Sequence, residues 1–163
     1  IPQQLMVEKI KESINARRNN DFLIIARTNG IRSTSLSDAL DRGKAYKDAG
    51  ADVLMLSPRN REELLAISNN LEGPFQLLVP NGGLTSLETD RNELGILGFK
   101  ILIDASQPML VALRAWKTFY ETMDDNFQSP MLSKEDASYW SEELKNVVEL
   151  QKLLEIETRT VEK

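Results

Sequence analysis

Four short strand-like runs, Phe22 to Ala26, Asp52 to Leu56, Phe75 to Val79 and Lys100 to Ile103, recur at intervals of about 25 to 30 residues, with a helical pattern before and after each. That alternation restricts the fold more than any other feature of the chain. Runs this short and apolar suit a parallel sheet covered on both faces, and parallel neighbours need helical crossovers. The expectation is an α/β fold: an open doubly wound sheet or a (β/α)8 TIM barrel. The open-sheet reading finds no support, since no Gly-x-Gly-x-x-Gly follows the first run and no P-loop sequence occurs. Four strands alone are too few to close a barrel.

Between the runs, Leu5, Met6, Ile10 and Ile14 recur at helical spacing and predict a helix over Gln4 to Arg17. A second helix is expected from about Leu36 to Ala49, with Gly50 where a C-terminal cap belongs. Further helices are expected over Arg61 to Asn69 and near Leu87 to Leu94, with Gly95 and Gly98 as breakers. Beyond Ala105, Met109, Leu110, Leu113, Trp116 and Tyr120 mark an apolar helix from Pro108 to Met123. After a linker, Asp124 to Leu132, the sequence Ser133-Lys-Glu-Asp136 reads as a capping box opening one last helix to about Ile156.

Composition narrows the chemistry. The 163 residues contain neither cysteine nor histidine, which removes disulfides, thiolate nucleophiles, histidine acid-base catalysis and the usual zinc sites. Arg, Lys, Asp, Glu, Tyr and Ser remain, and any metal bound would be a hard ion with oxygen ligands. A net charge of -5, with basic and acidic residues interspersed, argues against nucleic acid as a partner. No apolar run approaches the roughly 20 residues that span a bilayer, and no secretory signal is visible, so no membrane partner and a cytoplasmic protein are expected. The chain opens at Ile1 and runs directly into a helix; it is expected to begin inside a larger protein.

The stretch Asp21-Phe-Leu-Ile-Ile-Ala-Arg-Thr-Asn29 resembles the fifth barrel strand of the isocitrate lyase and phosphoenolpyruvate mutase superfamily, an apolar run ending in Ala-Arg-Thr-Asp. Asp38 to Asp52, read as Asp-Ala-Leu-Asp-Arg-Gly-Lys-Ala-Tyr-Lys-Asp-Ala-Gly-Ala-Asp, resembles the family's following helix and its turn into strand six. Ile1-Pro2 and Val7 to Ile10 are similar to the helix after the family's mobile loop, Gly73-Pro74 precedes strand seven, and Gly95 to Ile103 resembles the entry to strand eight. The resemblance implies that residues 1–123 supply strands five to eight of a TIM barrel, and that residues 124–163 form a linker and C-terminal helix. It further implies a Mg2+ cofactor whose ligands lie in the N-terminal half of the same barrel, with no metal ligand in this chain. That half is the expected partner, and the 163 residues alone are expected to be inactive. A homo-oligomer is implied as well, with the Pro108 to Met123 helix as the element exchanged; packing of the last helix on its own domain stays open. A free-standing half-barrel would expose strands five and eight as edges.

Sites in such barrels lie at the C-terminal ends of the strands, which singles out Arg27, Ser57, Asn81 and the stretch Asp104 to Ser106. Arg27 follows a buried run, where its planar fork suits a carboxylate or phosphonate, or a structural ion pair. The resemblance gives it a substrate-anchoring, charge-stabilising role. Ser57 stands where family lyases have Glu and the mutase branch has His; it is either a substrate-binding hydroxyl or a turn residue ahead of Pro58. Asn81, in Pro80-Asn-Gly-Gly83, offers an amide to a substrate oxygen or simply makes a tight turn. Asp104 is expected to partner a basic neighbour, and Thr28, Asn29 and Ser106 to cap loops.

The resemblance therefore implies a Mg2+-dependent lyase or hydrolase that cleaves a C–C bond in a small 2-oxo or 2-hydroxy carboxylic acid through an enolate. Phosphoenolpyruvate/phosphonopyruvate mutase-type chemistry is the alternative, with Leu78-Val79-Pro80 closer to that branch, and a non-catalytic barrel relative is the other.

Overall fold

The computed structural model describes residues 1–161, in two compact units divided after residue 108. The 124–163 expectation thus extends to two residues, Glu162 and Lys163, outside the described part.

The first unit alternates helix and strand: α1 (Gln3–Ala16), β1 (Ile25–Thr28), α2 (Gly30–Ser33), α3 (Leu36–Asp48), β2 (Val53–Leu56), α4 (Arg61–Asn70), β3 (Phe75–Leu78), a 3-10 helix (Leu84–Leu87), α5 (Arg91–Ile96) and β4 (Phe99–Ile103). All four strands are parallel, in the order β1-β2-β3-β4. Each crossover therefore adds its strand on the same side of the one before. Among the described strands there is no reversal of direction, and so no switch-point crevice of the kind that doubly wound sheets use.

Alternate strand residues divide between the two faces. Ala26, Leu54, Leu56, Phe75, Leu77 and Phe99 pack against Ala39, Tyr46, Leu64, Ile67 and Leu94 from the helices to form the core. Ile25, Arg27, Val53, Met55 and Gln76 occupy the intervening positions. Here Met55 pairs in register with Gln76, whose amide donates to the methionine sulfur at 3.2 Å.

Helix starts follow from side-chain caps. Ser35 accepts from the Asp38 amide, Asn60 from Glu63 and Asp90 from Glu93, each satisfying an amide that the helix itself leaves without a partner. At the end of α3, Gly50 takes φ 100°, the left-handed conformation anticipated for a cap.

Several boundaries depart from expectation. The first strand is Ile25–Thr28 rather than Phe22 to Ala26, because Asn19 Oδ1 accepts from the amides of Asp21 and Phe22 and holds that stretch in a turn. Nor is this strand buried on both faces: Ile25 and Arg27 are exposed where Ala26 and Thr28 are buried, and β1 is an edge that pairs only with β2 among the described residues. The helix placed over Leu87 to Leu94 is two elements, the 3-10 turn and α5, divided where Asp90 caps the second; Gly95 lies inside α5 instead of ending it. The four-residue α2 was not anticipated.

The second unit, with the Gln107–Glu121 helix α6 leading into it, contains α7 (Lys134–Val147) and α8 (Leu150–Thr160). The expected capping box is present: Ser133 accepts from the Asp136 amide at 3.0 Å, and Asp136 accepts in return from the Ser133 amide at 3.2 Å. The single last helix is instead two, broken at Glu149, which adopts φ 50°. The apolar residues Leu110, Leu113, Trp116, Tyr120, Trp140 and Leu144 are exposed. None of the helices described is long and apolar enough to cross a membrane.

Candidate functional site

The parallel sheet places four loops side by side at the C-terminal ends of its strands. Arg27 lies one residue from the end of β1, opposite Met55 in register, and Ser57 directly follows β2. Both line one cavity of about 280 Å3, together with Asn29, Arg32, Ser33 and Leu78. Leu78 is the last residue of β3.

Arg27 is exposed, and its Nε donates to Asn29 Oδ1 at 3.1 Å. This hydrogen bond orients the guanidinium plane while its terminal amino groups find no carboxylate among the described residues. An unpaired arginine in a concave wall is suited to bidentate contact with an incoming anion. The Ser57 hydroxyl is half-buried and makes no protein hydrogen bond among the described residues, so it too is available to a ligand. Chemically, the cavity offers two guanidiniums and hydroxyls for holding anionic oxygen; no acidic side chain lines it.

Arg32 is the residue that sequence reasoning missed. It sits on α2, a helical turn formed by hydrogen bonds from Arg32 and Ser33 N–H to Asn29 O at 2.9 and 3.0 Å. Gly30 lets that turn approach α3, for a Cβ there would stand 3.0 Å from Ala39. No sequence spacing signals it, because its place depends on the packing of Gly30 and the buried Ile31.

Asn81 is elsewhere. It is exposed beyond β3, and its Oδ1 accepts from the Ser106 hydroxyl at 2.8 Å, tying the β3 and β4 loops together. Asp104 accepts from the Gln107 amide and side chain at 3.1 and 2.9 Å, acting as a cap at the start of α6 rather than pairing with a basic neighbour as expected. Thr28 is buried and caps the turn that follows it, accepting from Gly30 N at 3.0 Å.

A second cavity of about 370 Å3 shares Arg27, Asn29 and Ser33 but is closed by a charge network. There Asp38 accepts from Thr34 at 2.6 Å and from Arg42 at 2.8 Å, and Arg42 also reaches Ile1 O at 3.1 Å. The Thr34 hydrogen bond, followed by that from Arg42, holds the Asp38 carboxyl below its usual range. These charges are satisfied internally, which leaves Arg27 as the charged residue that lines both spaces.

No group of three or more acidic side chains is placed to hold a metal ion among the described residues. The donor set in the cavity, cationic and hydroxylic, does not fit a magnesium ion.

The sequence matches the phosphoenolpyruvate phosphomutase family model over residues 1–123. It is 32% identical over 160 residues to a 2,3-dimethylmalate lyase of Eubacterium barkeri, covering 96% of this chain and 54% of the relative. An oxaloacetate decarboxylase of Rhodopseudomonas palustris (strain ATCC BAA-98 / CGA009) is 34% identical over 113 residues, covering 67% of this chain and 39% of that protein. The crystal structure of a 2,3-dimethylmalate lyase, a PEP mutase/isocitrate lyase superfamily member, superposes with a TM-score of 0.75 at 25% identity, over 99% of this chain and 56% of that one. The chain thus spans about half the length of its curated relatives or less. With parallel strands in barrel order and a family match across three quarters of its length, the chain belongs to the phosphoenolpyruvate phosphomutase family of the isocitrate lyase/PEP mutase superfamily.

Proposed function

We propose that the protein containing this chain is an enzyme that cleaves a C–C bond in a small 2-oxo or 2-hydroxy carboxylic acid, and that β1 to β4 are strands five to eight of its TIM barrel. The observation that carries this reading is Arg27, a cation without a carboxylate partner among the described residues, at the C-terminal end of a barrel strand beside the half-buried Ser57. Relatives that cleave or decarboxylate small carboxylic acids support the same reaction class.

In this reading Arg27 binds the substrate carboxylate and stabilises negative charge as it moves onto oxygen during bond cleavage, while Ser57 orients the substrate through one hydrogen bond. Asn81 braces the neighbouring loop by accepting from Ser106 through its amide oxygen, which leaves its NH2 to donate to a substrate oxygen. Magnesium, the family's cofactor by resemblance, would supply Lewis-acid chemistry from ligands outside this chain. The N-terminal half of the barrel is the partner that supplies them, and it would also cover the exposed Phe22, Leu23 and Ile25 beside the β1 edge. Residues 1–123 are the barrel portion and residues 124–163 the appended linker and helices of a cytoplasmic homo-oligomer. The mutase alternative shares the Arg27 role, with a phosphonate in place of the carboxylate.

The test is binding of oxalate, an enolate mimic, to the whole protein in Mg2+ by calorimetry. Arg27→Ala is expected to weaken it about tenfold or more, as loss of a charge-assisted hydrogen bond would. Unchanged affinity would remove Arg27 from the site.

A further inference from the structure

The chain contains two Asn-Gly pairs, Asn29-Gly30 and Asn81-Gly82. An asparagine before glycine is open to self-modification, because with no Cβ in the way the following backbone nitrogen can close on the side-chain carbon. Sequence alone ranks the two pairs equally. Their acceptor ends are also alike in the structure: Asn81 Oδ1 accepts from Ser106 Oγ at 2.8 Å and Asn29 Oδ1 from Arg27 Nε at 3.1 Å, and both asparagines are exposed. Each of these bonds stabilises negative charge arriving on the side-chain oxygen.

The attacking nitrogens differ. Gly30 is buried, its N–H donates to Thr28 Oγ1 at 3.0 Å, and the peptide before it is fixed in α2, where Asn29 O accepts from Arg32 and Ser33 N–H. Gly82 is exposed, and its N–H donates to no acceptor among the described residues. It is the third residue of a turn closed by Gly83 N donating to Pro80 O at 3.0 Å, with φ 97°, and a Cβ there would meet only Ser86, at 3.8 Å. The Gly82 nitrogen can therefore swing toward the Asn81 side chain without unpacking a core or a helix.

We infer that Asn81 is a site of spontaneous deamidation in the folded protein, assisted by the Ser106 hydroxyl, and that Asn29 is protected. The Gly82 nitrogen, its proton taken by hydroxide, forms a bond to Asn81 Cγ, and the carbonyl electron pair moves onto Oδ1, where the Ser106 O–H donates to it. As that pair returns, the Cγ–Nδ2 bond breaks and the nitrogen leaves as ammonia with a proton from water. One water then opens the five-membered succinimide to aspartate or isoaspartate. The product has a carboxylate in place of the neutral NH2 donor, so, resting on the reading that Asn81 donates to a substrate oxygen, affinity for oxalate falls as the carboxylate accumulates.

Peptide mass spectrometry on the whole protein, aged in mildly alkaline buffer, reads each site as a gain of about 1 Da, ammonia exchanged for water. Asn81 is expected to convert about tenfold or more faster than Asn29, since the buried Gly30 nitrogen reacts only when α2 opens. In urea the two rates should converge. Ser106→Ala should slow Asn81 by roughly two- to tenfold, the loss of one neutral hydrogen bond, with Asn29 and the melting temperature unchanged. No conversion of Asn81 in the folded protein, equal rates at the two sites, a gap that persists in urea, or an Asn81 rate that Ser106→Ala leaves unchanged or raises would overturn the inference. The substrate-binding reading of Asn81 fails separately, if Asn81 converts and oxalate affinity holds.

Discussion

Arg17 and Asp52 meet at 2.7 Å where β1 and β2 begin, at the end of the sheet opposite Arg27. Asp52 also accepts from the Ile24 amide at 2.8 Å, so one carboxylate joins the end of α1 to the first residues of two strands. Both side chains are largely shielded, at 18% and 26% exposed. In the proposed reading, the two ends of the sheet divide stability from ligand binding.

From that division, Asp52→Asn is expected to lower stability by about 1.5–3 kcal/mol, the range for a hydrogen bond to a charged group. Urea unfolding would read the loss, while oxalate affinity of the folded protein should stay at the wild-type value. A parallel loss of affinity would show that the two ends are coupled.

Acid should unfold the protein partly through carboxylates of this kind. The Ile24 amide, then Arg17, holds Asp52 below its ordinary 3.8. Arg61, then Thr89, lowers Glu93 from the ordinary 4.5 to about 2. A carboxyl whose folded value is depressed binds protons more weakly when folded, so its contribution is present above the unfolded value and lost as pH falls toward the folded one. Melting temperature is expected to decline between pH 4.5 and 2, and Glu93→Gln should flatten that decline. An unaltered slope in Glu93→Gln would mean that the Arg61 fork contributes nothing in solution.

Much of this fold is legible in the sequence because burial and periodicity coincide. β2, with Val53 to Leu56 buried throughout, announces itself as a strand, and Ser35, Ser133 and Gly50 mark helix ends through their own chemistry. Phe22 and Leu23 misled because apolar residues at an edge look like those of a central strand; a side chain three residues earlier, Asn19, decides where the strand starts. The Asp38 to Asp52 stretch resembles the family, yet Asp38, Arg42 and Asp52 are engaged in ion pairs, one within α3 and one from the end of α1 to the start of β2. Arg27 and Ser57 could be found from strand ends. Arg32 could not, because its place depends on how Gly30 packs against Ala39, a contact that no spacing encodes.

Gly98 tests the packing beneath β4. It has φ 89°, and a Cβ there would lie 3.2 Å from the Phe75 ring, which packs against Phe99 with centroids 5.1 Å apart. Gly98→Ala combines left-handed strain with crowding of that ring and is expected to cost about 1–3 kcal/mol. Thermal unfolding measures this, and a variant as stable as wild type would mean that the turn rearranges freely.

The cavity residues should rank by charge. Ser57 offers one neutral hydrogen bond, and Ser57→Ala is expected to weaken oxalate by about 0.5–1.5 kcal/mol, or roughly two- to tenfold. Arg27→Ala removes a charged, two-pronged donor and should cost about 1.5–3 kcal/mol. Raising ionic strength should narrow the gap, because screening acts on the arginine contribution and leaves the hydroxyl's largely intact. If Ser57→Ala equals or exceeds Arg27→Ala at low salt, the anion is held by the β2 loop, and the centre of the site moves from β1 to Ser57.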